Sequence, residues 1–289
     1  MLDRRALLAA GPALALAPKA FAQGAIALTS PALSVSGRPL QGGFVIGRTA
    51  PRASILVNDK PVGSASARGV FIIGFDRDEP VQAKLSIKTP WGALDHNFQV
   101  MPVDYDVQSI DGLPQDQVEP SDPKLLERIR EEAKRKAVGF ASDIDATDFR
   151  NGFVEPVTGY RLSARFGGQR ILNGIPQRPH YGADLAAPLG TPVVAPADGT
   201  VTFAETGLHF EGALILIDHG QGLVSAYLHL SRIDVKSGDK VTRRQQIGLV
   251  GKEGRATGPH LCWRMKWRGR NMDPMLMVGI TRPDSLTSD

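Results

Sequence analysis

The chain has 289 residues, 42% hydrophobic and 22% charged, enough for one large domain or two modest ones. Its formal charge of +4 overstates the balance of the main body: residues 1–22 carry Arg4, Arg5, Lys19 and Asp3, a net +2, which leaves +2 on the rest. So small a surplus argues against nucleic-acid binding, which needs a concentrated basic face, and no stretch after residue 22 approaches the length of a membrane span.

Residues 1–22 read as an export signal. Arg4-Arg5 precede an apolar stretch from Ala6 to Ala17, and Ala20-Phe21-Ala22 is a small-x-small cleavage site before Gln23. The run Asp3-Arg4-Arg5-Ala6-Leu7-Leu8 resembles a twin-arginine signal, the alternative being an ordinary secretory signal with two arginines in its first region.

Residues 25–101 read as short strands with turn punctuation. Ser54-Ile55-Leu56-Val57 meets Asn58-Asp59, and Lys60-Pro61-Val62 then resumes, which predicts a hairpin. Gly69–Phe75 and Ala83–Ile87 are further strands, and five or six such strands predict a small immunoglobulin-like β-sandwich. Residues 102–150 form a linker with one helix, opened by Ser121-Asp122-Pro123. Its apolar stripe is Leu125, Leu126, Ile129, Ala133 and Ala137. The charges from Glu127 to Lys136, Glu132 among them, read as a solvated face.

Residues 151–279 are again β-rich, an antiparallel sheet with long loops over a groove, and residues 280–289 form a tail. Ala213–Ile217, bounded by Gly212 and Asp218, reads as a core strand. This part also holds the chemistry. A catalytic zinc needs three ligands from His, Asp, Glu or Cys and one open position, with proton-moving groups nearby. His180, Asp184, His229, His260 and Cys262 offer candidates for all of these within about eighty residues. Cys262 is the only cysteine, so it forms no disulfide within the chain; it is either a small buried hydrophobe or a zinc thiolate.

Strand alternation refines the picture. Tyr227 and His229 share one face, with Leu228 toward the core. His260, Cys262, Arg264 and Lys266 share a face opposite Leu261, Trp263, Met265 and Trp267. Tyr227 either helps hold an oxyanion or packs; Arg264 and Lys266 either attract substrate carboxylates or form a solvated strand face. His219 reads as structural, His209 as a loop residue, Asp198 as turn chemistry and His96 as an isolated surface residue.

The run of motifs from about Arg165 to Met275 resembles the lysostaphin-type, or LytM-like, zinc metallopeptidases of bacterial cell walls. It takes in Arg165-Phe166-Gly167, His180-Tyr181-Gly182-Ala183-Asp184, Gly190 to Val201, Asp218-His219-Gly220-Gln221-Gly222, Tyr227-Leu228-His229-Leu230, Val235 to Asp239, Gly248 to Gly251 and Thr257-Gly258-Pro259-His260. The resemblance implies a mainly β fold whose C-terminal part is a peptidase domain with a zinc groove. It implies one zinc per chain, held by His180, Asp184 and the third-ligand position, with His229 and His260 as the catalytic pair. The third position falls on Cys262, where the usual closing pattern is His-x-His.

The same resemblance implies a periplasmic zinc endopeptidase that cuts peptide cross-links of peptidoglycan, with the peptide stems as its partner. A cell-wall amidase or a division complex is a further candidate partner. The alternative is a weak or inactive member that binds wall peptides or activates an amidase. Asp184 and Cys262 together would cancel the formal charge of zinc, so slower activity or a higher pH range is expected.

Overall fold

The computed structural model describes residues 26–29 and 32–279, so the expected signal segment 1–22 and the tail 280–289 lie outside the described residues. The chain is mainly β. Between Ile26 and Gln99, eight strands form two four-stranded antiparallel sheets. One is ordered Ile26–Thr29, Ser34–Arg38, Phe44–Arg48, Val70–Gly74; the other Lys60–Ser64, Ser54–Val57, Gln82–Thr89, Gly92–Gln99. The expected hairpin is present, with Asn58 and Asp59 both left-handed at φ 52° and 60°, as a tight two-residue turn requires. The eight strands exceed the expected five or six. Ser34–Arg38 is small and polar, and Gly92–Gln99 is a largely exposed edge strand, so neither carries a strong apolar alternation.

A helix runs from Pro123 to Phe140, and the Asp122 carboxylate caps it by accepting the Lys124 N–H at 2.8 Å. Its packed face differs from the expected stripe. Leu125, Leu126 and Ile129 are half-buried, but Ala133 and Ala137 are exposed, and Glu132 and Gly139 are buried instead. Close approach decides this. A Cβ at Gly139 would lie 2.9 Å from Leu216 Cδ1, so the helix rests on the sheet at that point, and Glu132, two turns earlier, comes with it. Glu132 accepts from Arg128 Nε at 2.8 Å and from the His209 N–H at 2.9 Å, while Lys136 pairs with Glu211 at 2.6 Å. The charge run is therefore only partly solvated.

The C-terminal part is built on an eight-stranded sheet. Its order is Arg161–Ala164, Ala183–Ala186, His260–Trp267, Leu223–Leu230, Gly212–Asp218, Gly199–Leu208, Lys240–Val241, and Arg270–Met272 pairs beside His260–Trp267. All seven residues of Gly212–Asp218 are buried, as a central strand demands. One face of the sheet joins the main core through Ile215, Ile217, Tyr227, Leu261, Trp263, Met265 and Trp267. The other carries a smaller apolar cluster of Phe203, Leu214, Leu216, Val224, Ala226, Leu228 and Cys262, with Phe140 of the helix packed against it.

The main core also includes Val45, Ile73, Leu85 and Phe98 from the N-terminal sheets. Both β-rich parts thus share one apolar interior. At their contact, Gly74 lies so close to Met272 that a Cβ there would collide with its sulfur. No helix among the described residues is long and apolar enough to cross a membrane.

Candidate metal centre

Register brings the candidate ligands together. Asp184 on Ala183–Ala186 lies directly across the antiparallel pair from Cys262 on His260–Trp267. The loop carrying His180 is pinned to the chain at Gly167 and Gly168: the His180 N–H donates to the Gly168 carbonyl and its carbonyl accepts from the Gly167 N–H. Its Nε2 lies 3.0 Å from Asp184 Oδ1 and 3.4 Å from Cys262 Sγ. One ligand atom from each of the three residues lies within 4.8 Å of the others, and all three residues are buried.

Asp184 divides its oxygens. Oδ2 accepts from Arg170 Nη2 at 2.7 Å, whereas Oδ1 is buried and has no hydrogen-bond partner among the described residues. Burial opposes its ionisation, yet His180 and Arg170 outweigh that and hold the carboxyl well below the usual carboxylate range. Burial pushes His180 below its ordinary value and the Cys262 thiol up to about 12. A buried carboxylate oxygen, an imidazole nitrogen and a thiol sulfur converging on one point are a donor set that fits zinc.

The second pair of histidines is held differently. His229 Nδ1 donates to the Glu253 carbonyl at 2.7 Å, and His260 Nδ1 donates to the Gly258 carbonyl at 2.9 Å. Each bond puts a proton on Nδ1 and leaves Nε2 as the ring atom not tied to the backbone. The rings lie 4.8 Å apart, and His260 Nε2 is 3.7 Å from Asp184 Oδ1. Burial, then the neighbouring His260, lowers His229 to about 3, so it is neutral at physiological pH.

The structure corrects the placement of Tyr227. His229 is left-handed, at φ 67°, and the strand bulges there, with Ala213 paired to Leu230 and Leu214 to Leu228. The bulge breaks the alternation. Leu228, opposite Cys262, joins the apolar cluster on the ligand face. Tyr227 points to the main core and is fully buried, its hydroxyl 2.7 Å from Ser225 Oγ. Tyr227 therefore takes no part in the site. Arg264 and Lys266 do lie on the Cys262 face, but not as free cations: Arg264 Nε donates to Cys262 Sγ at 3.3 Å, and Lys266 Nζ sits over the Phe140 ring at 4.6 Å.

His219 is structural. Its Nδ1 donates to the Asp198 carbonyl at 2.7 Å, so Nε2 must accept the Ser225 hydroxyl proton, also at 2.7 Å. His209 is tied by Nε2 to the Asp116 carbonyl at 3.1 Å. His96 is half-buried against Phe98, ring centroids 4.6 Å apart.

Three arginines were not anticipated. A cavity of about 330 Å³ adjoins the cluster, lined by Asp184, His229 and His260 together with Arg161, Arg170 and Arg255. Part of its wall is Gln108, Ile110 and Leu113, because Val107–Ile110 pairs in parallel with Gln169–Leu172. The stretch expected to be a linker thus helps shape the site. Arg255 stacks over Phe210 at 4.7 Å and donates to the Gln117 carbonyl at 3.0 Å. Nothing in the local sequence marks these arginines, since the fold alone brings them to the cluster.

Residues 178–274 match the family described as Peptidase family M23. A crystal structure of a peptidase M23 protein from Pseudomonas aeruginosa superposes on 84% of this chain and 96% of its own, at 30% identity and a TM-score of 0.64. The chain belongs to peptidase family M23. Peptidoglycan DD-endopeptidase ShyA of Vibrio cholerae is 43% identical over 118 residues, 40% of this chain and 27% of that protein. DD-carboxypeptidase/endopeptidase Mpg of Neisseria meningitidis serogroup B is 36% identical over 141 residues, 48% of this chain and 32% of that protein. The chain spans less than a third of the length of these two relatives.

Proposed function

We propose that this chain is a periplasmic zinc endopeptidase that hydrolyses peptide cross-links of peptidoglycan. One observation carries the reading. Buried Asp184 Oδ1, His180 Nε2 and Cys262 Sγ converge, and two imidazoles anchored to the backbone through Nδ1 stand beside them. The names of the relatives ShyA and Mpg support the substrate class.

In this reading His180, Asp184 and Cys262 hold one zinc ion. When bound, zinc supplies Lewis acidity toward a peptide carbonyl and makes nearby water easier to deprotonate. The protein supplies the proton traffic. The Glu253 and Gly258 carbonyls lock the tautomers of His229 and His260, so one Nε2 can take a proton from attacking water. The other, once protonated, can donate to the oxyanion or the departing amine. Arg161 and Arg255 on the cavity wall favour a substrate bearing carboxylates, as wall peptides do.

The test is digestion of purified cross-linked wall fragments by the chain from residue 23 onward, with zinc and with a chelator, products being identified by mass spectrometry. Zinc-dependent loss of cross-links is expected. A protein that holds zinc and leaves every linkage intact would favour the alternative, a wall-binding or amidase-activating role.

A further inference from the structure

The carboxylate and the sulfur of the candidate centre are each backed by a guanidinium. Arg170 meets Asp184 Oδ2 at 2.7 Å, and Arg264 Nε donates to Cys262 Sγ at 3.3 Å. The second contact is built into the sheet, because residues two apart on His260–Trp267 share a face. Gly182 leaves the room for it: a Cβ there would lie 2.7 Å from Arg264 Cγ and 3.3 Å from Cys262 Sγ. Lys266, next along the same face, is turned over Phe140.

We infer that Arg264 is a positioning residue matched to Cys262, its N–H···S bond fitting this ligand slot to a thiolate rather than to an imidazole. The inference rests on the zinc reading above. A metal-bound thiolate keeps lone pairs that accept an N–H, and a charged donor strengthens that bond. A metal-bound imidazole nitrogen has no lone pair left, so the guanidinium would meet only a neutral ring edge. By drawing charge off the sulfur, Arg264 also offsets part of the negative charge that a second anionic ligand brings to the centre.

A four-form cycle tests the match: parent, Arg264→Met, Cys262→His and the double variant. Zn²⁺ affinity is measured by chelator competition in all four. The sulfur-to-cobalt charge-transfer band is recorded for the two cysteine forms loaded with Co²⁺. Arg264→Met is expected to weaken Zn²⁺ binding about tenfold more in the cysteine background than in the histidine background, a scale typical of groups that support a metal ligand. The band should move to lower energy as the N–H···S bond is lost. Arg264→Leu, which likewise carries no N–H donor, decides the same comparison should the Met variant not fold. An equal loss of affinity in both backgrounds, or a band that does not move, overturns the pairing. A parent that takes up neither Zn²⁺ nor Co²⁺ overturns the zinc reading itself and the pairing with it.

Discussion

Asp184 and Cys262 face each other across two adjacent antiparallel strands, so the sheet's hydrogen-bond register itself brings two candidate metal ligands to one point. His180, four residues before Asp184, closes the cluster from the preceding loop. Removing the carboxylate should therefore empty the site without unfolding the sheet. Asp184→Ala is expected to bind less than about a tenth of the parent's zinc, measured by metal analysis after dialysis, with an unchanged far-ultraviolet spectrum. Full zinc content in that variant would place the metal elsewhere.

The proposed ligands and proton carriers differ in what each ring nitrogen touches. His229 and His260 spend Nδ1 on backbone carbonyls, and neither belongs to the three-residue metal cluster. His229→Ala and His260→Ala should keep zinc near the parental level while losing about 10²-fold or more in cross-link cleavage, the range typical of a general acid or base. Cleavage at the parental rate by either variant would remove that residue from the mechanism.

The convergence of the candidate ligand segments was legible in the sequence because strand and loop spacing is local. His180 to Asp184 is one short segment, and the alternation of His260 to Trp267 correctly separated Cys262 and Arg264 from the tryptophans. Tyr227 was misplaced because period-2 reasoning assumes extended backbone throughout, and the left-handed His229 interrupts it. The helix was read by apolar spacing, yet its packed face is set by the close approach at Gly139 and by the bonds of Glu132, which hydropathy does not register. Arg170 and Arg255 reach the cavity only through sheet pairing and a loop, and no spacing rule marks such contacts.

Cys262 is buried in an apolar cluster, where a structural thiol and a zinc thiolate would look alike until challenged. As a ligand it should resist alkylation while zinc is bound and react after chelation under native conditions. Cys262→Ser should lower zinc affinity, since a neutral hydroxyl replaces a thiolate. Alkylation that tracks denaturant rather than chelator, with unchanged affinity in the Ser variant, would leave Cys262 as packing alone.

Glu132 fixes the helix to the sheet from a buried position, with Arg128 and the His209 N–H as donors. Glu132→Ala strands a buried N–H and is expected to cost about 2 kcal/mol in urea denaturation. Glu132→Gln keeps an acceptor for the His209 N–H and should cost about half as much. Equal stability of parent and Glu132→Ala would mean that the helix docks through its apolar residues and Gly139 instead.

His219 gives the chain a defined acid sensitivity. It is fully buried, bonded to the Asp198 carbonyl and Ser225, and burial lowers it from 6.5 to about 4. Between those values the unfolded chain binds a proton that the folded chain refuses, so stability is whole above about pH 6.5 and is lost as pH falls toward 4. That gap corresponds to about 3 kcal/mol. Measured on chelated protein, so that metal release does not contribute, unfolding free energy should fall more steeply from pH 7 to pH 4 in the parent than in His219→Gln. The variant starts lower at pH 7, having lost part of the Ser225 and Asp198 bonding, and the two curves should converge in acid. Parallel curves across that range would show that His219 titrates alike in both states, contrary to its burial.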